Sequence, residues 1–112
     1  MKNKEVVEDF IRGRWIDSKG SNLFSEGNIL YSYGRHFPIA VRLKDCWVVN
    51  NRTYSPTTSA HQGHFTRALG FKNLKDMINN PDNEILLMDT DGLKYIIDNH
   101  FKSKSEIMFD NL

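Results

Sequence analysis

Three of the four histidines, His36, His61 and His64, lie in one stretch of this chain, between Tyr31 and Gly70. His61 and His64 stand three apart, so both fall on one face if that segment is helical. His36 sits in a turn that a strand meander can bring near them. Three histidines can hold zinc or run general acid–base chemistry. Against both roles, the chain has no His-Glu-x-x-His and no Cys-x-x-Cys pattern. His61 also stands four before Phe65, which suits a half-buried packing residue as well as a catalytic one.

Ser55-Pro56-Thr57-Thr58-Ser59 is the second candidate. Four hydroxyls surround what reads as a helix start, where free N–H groups and the positive dipole end can hold a phosphate or carboxylate. The plainer alternative makes Ser55 an ordinary cap and leaves the threonines solvated. A third group is basic and aromatic: Tyr31, Tyr33, Arg35, His36, Arg42, Arg52, Tyr54 and Arg67. Rings on a sheet with arginines nearby can stack bases and contact phosphate. They can equally form the polar face of a half-exposed sheet. Asp89-Thr90-Asp91-Gly92 resembles part of a calcium loop but has Leu87 where an acid is needed, so it reads as a hairpin turn. Cys46, beside Trp47 in an apolar strand, reads as an inert buried thiol.

These residues need elements to hold them. Residues 3 to 13 pattern as a helix, with Asn3 as cap, Val6, Val7, Phe10 and Ile11 on one face, and Gly13 as stop. Trp15 and Ile16 add apolar bulk before a loop at 17 to 21. Leu23-Phe24-Ser25 and Ile29 to Tyr33 read as strands around a turn at Glu26-Gly27-Asn28. Phe37 to Leu43 alternates, with Phe37, Ile39, Val41 and Leu43 facing one way. Cys46 to Asn50 returns, and Thr53-Tyr54-Ser55 adds a short third piece. Short connections make this an antiparallel meander.

A well-marked helix follows. Ser55 fits the cap, Pro56 the first position and Gly70 the left-handed stop, with Phe71 folding back. Leu74 to Asn79 is a second short helix, ended by Asn80-Pro81. Glu84 to Met88 is a strand covered on both faces, and Leu93 to Ile97 returns to close a C-terminal hairpin. The expected class is α+β: a single domain over 1–112 with its core at 28–98. An antiparallel meander packs on a central helix, flanked by an N-terminal helix and a C-terminal hairpin. The stretch 102–112 reads as a tail or partner-binding segment, Lys- and Ser-rich but carrying Ile107, Met108 and Phe109.

Composition narrows the function. The chain has 112 residues, 39% of them hydrophobic, enough to bury a core without staples. A net charge of +1 gives no global pull toward nucleic acid or membrane, so an electrostatic site must be local. One cysteine rules out an internal disulfide and suits a reducing compartment. The acids in MKNKEVVEDF do not fit a signal peptide, and no apolar run approaches a membrane span. The expected setting is the cytoplasm, with no cofactor, no metal and no membrane partner.

At Ser32-Tyr33-Gly34, Pro38-Ile39-Ala40-Val41-Arg42, Val49-Asn50-Asn51 and Tyr54-Ser55-Pro56-Thr57-Thr58-Ser59-Ala60-His61-Gln62 the chain resembles a group of small uncharacterised proteins of bacterial and archaeal viruses. The likeness covers roughly residues 31 to 69 and not the flanks. It implies a phage origin and no activity. By analogy it implies an accessory factor, a non-enzymatic binder or inhibitor of a host or bacterial-defence component in the host cytoplasm. The alternatives are a small nucleic-acid-binding module using the tyrosines and arginines, and a hydrolase or nuclease using the histidines. A homodimer is compatible with the sticky C-terminal segment. The polar residues left without a structural job are Tyr33, Arg35, His36, Arg42, Thr58, His61 and Gln62. They form the expected binding site, where strand ends meet the helix start.

Overall fold

Short runs of β-branched and aromatic residues between turn signals give the sheet, and apolar residues at spacings of three and four give its cover. The structure is a computed structural model that describes residues 2–13, 19–20, 22–53, 55–80, 82 and 84–110. Trp15, Ile16, the start of the loop after them, Tyr54 and Pro81 lie outside the described residues, so the expectations placed on them have no structural counterpart here. The strands are β1 (Leu23–Glu26), β2 (Ile29–Ser32), β3 (Pro38–Arg42), β4 (Trp47–Asn50) and β5 (Ile85–Met88). The helices are α1 (Asn3–Ile11), α2 (Pro56–Ala68), α3 (Leu74–Asn79), α4 (Thr90–Asp98) and α5 (Lys104–Asp110). One sheet runs in the order β1-β2-β3-β4-β5. β1 to β4 form the expected antiparallel meander; β5 pairs parallel to β4 after the α2–α3 crossover. The class is α+β.

Both faces of the sheet are covered. Against one lie α1, α2 and α3, with Val6, Phe10, Phe65 and Met77 on Leu23, Leu30, Ile39 and Val49. Phe10, Trp47 and Phe65 meet as three rings, with centroids 5.5 Å apart for Phe10–Trp47 and Trp47–Phe65 and 6.3 Å for Phe10–Phe65. They join α1, β4 and α2 at one point. Against the other face lie α4 and α5, with Leu93, Ile96 and Ile107 on Val41 and Val48. The alternation expected from Phe37 to Leu43 changes phase midway. Leu30 pairs with Ala40 and Tyr31 with Pro38, which leaves Ile39 as the extra residue of a β-bulge. Phe37, Ile39 and Ala40 therefore join the α1–α2 core, while Val41 and Leu43 join the α4–α5 core.

The capped helix α2 forms as the sequence predicts. Ser55 Oγ accepts from the Thr58 amide at 3.1 Å, and Pro56 opens the helix. Gly70 takes φ +99° just past the end, and the Phe71 amide donates back to the Thr66 carbonyl at 3.0 Å. Other expectations give way. Asn3 is the first residue of α1 rather than its cap, which is Lys2. Thr53 and Ser55 lie in an irregular link, not a strand. The C-terminal hairpin does not form, because 90–98 is helix α4. Asp89 Oδ1 accepts from the Gly92 amide at 2.8 Å, so the supposed turn is a helix cap. Leu93, Ile96 and Ile97 then fall on one helical face toward the sheet. Residues 104–110 form α5, seated by Ile107 and by the Lys104 amide donating to Asp45 Oδ1 at 2.8 Å. Asp89→Ala is expected to cost about 1 kcal/mol by removing that cap, read as a lower urea midpoint with an unchanged slope.

Candidate functional site

The end of β2 and the first two turns of α2 bring together a buried chain of polar groups. Ser32 is the inward residue after Leu30 on β2, so a hydroxyl occupies a core position. Its Oγ lies 2.7 Å from His61 Nδ1 and 3.3 Å from Thr58 Oγ1. Ser55 Oγ donates to Thr58 Oγ1 at 3.1 Å. On the far side of the ring, Asn3 Nδ2 stands 3.5 Å from His61 Nε2. Ser32, Thr58 and His61 are 0%, 1% and 2% exposed.

The direction of these bonds decides what the chain can do. The Asn3 Nδ2 contact is satisfied in the tautomer in which Nε2 accepts and Nδ1 carries the ring proton. In that tautomer the Nδ1 proton points at Ser32 Oγ, which shares a further hydrogen bond with Thr58 Oγ1. A nucleophilic serine needs the opposite: an imidazole nitrogen that accepts its proton, and an acid on the other side of the ring. Burial lowers the His61 pKa, and neighbouring His64 lowers it further, so the ring is held neutral. The chain ties β2 to α2 and leaves Ser32 no route to a substrate. Tyr33 follows directly, in the left-handed region at φ +67°, half-exposed, with its ring 5.8 Å from that of His61.

A second buried cluster anchors the other flank of α2. Gln62 Nε2 donates to the carbonyls of Arg52 at 2.6 Å and Asn50 at 3.3 Å. Asn50 Nδ2 donates to the Pro38 carbonyl at 2.8 Å and to Thr90 Oγ1 at 2.9 Å, and its Oδ1 accepts from the Arg52 amide at 2.9 Å. Gln62 Oε1 has no partner among the described residues. Asn50, the last residue of β4, is a buried junction that ties β3 to the start of α4.

The other expected site residues lie elsewhere. Arg35 is exposed and forms a two-point pair with Glu26, Nε to Oε1 at 2.6 Å and Nη2 to Oε2 at 2.5 Å. His36 is exposed and lines a cavity of about 310 Å³ at the start of α4, with Arg52, Asp89 and Lys94. Arg42 places its guanidinium 4.8 Å from the Trp47 ring centroid. The structure thus joins Tyr33, Thr58 and His61, sets Gln62 beside them on α2, and separates Arg35, His36 and Arg42. The ring platform expected of Tyr31 and Arg42 does not form. Tyr31 is buried and stacked on Phe24 at 5.2 Å, and helices cover both sheet faces. Among the described residues, no group of three or more His, Cys, Asp or Glu could hold a metal ion. Cys46 is buried, and burial raises its thiol pKa.

Ser32, Asn50 and Asn3 join the buried polar chains although they are not among the site residues the sequence predicts. The first two carried a signal: a polar side chain in phase with core residues on a strand. Asn3 had none, since its partner lies on another helix. A model of a family of unknown function, DUF8033, matches residues 5–80. The chain belongs to this family. No curated protein and no solved structure matches it. The family span runs from α1 to α3 and holds Ser32, Asn50, Thr58, His61 and Gln62; β5, α4 and α5 lie beyond it. No helix among the described residues is long and apolar enough to cross a membrane.

Proposed function

We propose that this chain is a small accessory binding protein that acts by docking on another protein, without chemistry of its own. The kind of target proposed is a host or bacterial-defence component in the cytoplasm of a phage-infected cell. One observation carries the docking part: an apolar surface left open by α4 and α5. Tyr95 is 51% exposed, Met108 59% and Phe109 78%. Phe101 packs against Tyr95 at 5.9 Å and shares a groove of about 540 Å³ with Asn99, Ser105 and Phe109. Clustered aromatic and methionine side chains on a small domain are typical anchors of protein interfaces. The likeness of residues 31–69 to small viral proteins supports the phage setting.

The test changes the surface and not the core. Met108→Asp with Phe109→Asp is expected to leave thermal unfolding unchanged and to abolish capture of a specific protein from bacterial host lysate. Capture of the same proteins by both forms, or of none by either, contradicts the proposal. Sedimentation of the purified chain separates a homodimer that closes on this face from a foreign partner.

A further inference from the structure

A second concave surface lies between α1 and α2, away from the α4–α5 face. It encloses about 640 Å³. Lys4, Glu8 and Arg12 project along one stripe of α1, and His64 and Arg67 face them from α2. Val7, Ile11 and Ala68 supply apolar wall. Three permanent cations thus face one carboxylate, in a chain whose overall charge is close to zero. Gly63 shapes the α2 side. A Cβ there would fall 2.9 Å from Arg67 Nη1, so the missing side chain lets the guanidinium lie back along the helix. The His64 pKa is lowered, first by burial and then by Arg67 and Lys4, an effect that requires both cations to act on the same ring.

We propose that this groove binds the phosphate of a nucleotide, free or within a nucleic-acid chain, with Lys4, Arg12 and Arg67 on the phosphate oxygens and the base against Ile11 and Ala68. Two cations remain after Glu8 is balanced, which matches the terminal phosphate dianion of a free nucleotide, or two successive diester phosphates of a nucleic-acid chain, better than a single carboxylate. Arg supplies the planar fork that suits phosphate oxygens, and the volume lies in the range of small-molecule sites, roughly 300–1,000 Å³. The groove is independent of the protein-docking surface, and either assignment stands if the other falls.

Calorimetric titration of the full chain with ATP, inorganic phosphate and a short single-stranded oligonucleotide tests it. ATP is expected to bind saturably at one site. Arg67→Gln and Lys4→Gln should each weaken it by about tenfold or more, with unfolding temperatures unchanged, because both side chains reach the surface. Lys75→Gln, an exposed cation on α3, should leave it unaltered. Competition by the oligonucleotide assigns the phosphate to a nucleic-acid chain; its failure to compete assigns it to a free nucleotide. No saturable ATP binding, ATP binding indifferent to Arg67→Gln, or inorganic phosphate binding as tightly as ATP would overturn the assignment.

Discussion

Phe65→Ala is expected to lower the unfolding free energy by about 3–5 kcal/mol. Phe65 is fully buried and touches both other rings of the cluster, Phe10 at 6.3 Å and Trp47 at 5.5 Å. Removing it opens a cavity where α1, α2 and β4 meet, and none of the three can close the gap without drawing away from the others. Domains of this size have roughly 5–15 kcal/mol of stability in all, so the variant sits near the edge of folding at room temperature. Urea denaturation followed by tryptophan fluorescence reads the loss directly, since Trp47 lines the same cavity. A loss under about 1 kcal/mol would mean that this cluster is not the mechanical centre of the domain.

His61→Ala is expected to cost about 2–4 kcal/mol, by leaving Ser32 with a buried unmet bond and by opening space beside Tyr33. It should also change how stability depends on pH. The pKa values of His61 and His64 are both lowered on folding. The unfolded chain therefore binds more protons than the folded one in the acid range, and stability rises with pH there. Their contribution is complete above the ordinary histidine pKa of about 6.5 and is lost as the pH falls through the window below it. Unfolding followed from neutral to mildly acid pH should show this decline, and His61→Gln should make it shallower. An unchanged pH profile in His61→Gln would mean that the ring is not held neutral by its surroundings.

The parts of the fold that were legible rest on local chemistry. Ser55, Pro56 and Gly70 mark α2 at both ends, and Gly27-Asn28 turns β1 into β2. The β-bulge was not legible, because Phe37, Ile39, Val41 and Leu43 alternate without a break. Only pairing with β2 reveals that Ile39 is the extra residue. Helix α4 reads as a strand in the sequence because its apolar run is short. The spacing of Leu93, Ile96 and Ile97 after the Asp89 cap was the signal for a helix. Thr58, His61 and Gln62 seemed to lack a structural task because their partners, Ser32 and the carbonyls of Asn50 and Arg52, lie on other elements. The cationic groove was hidden for the same reason, since Lys4 and Arg12 meet His64 and Arg67 only once α1 packs on α2.

The central claim is that the polar residues shared by β2 and α2 hold the fold together. A double-mutant cycle on Ser32→Ala and His61→Ala, read by urea denaturation, tests it most directly. A structural link through the 2.7 Å contact predicts that the two losses are not additive. The double variant should be more stable than their sum by about 1–3 kcal/mol, since removing both partners leaves neither end of the Ser32–His61 contact orphaned by the loss of the other. Losses that add to within about 0.5 kcal/mol would contradict it.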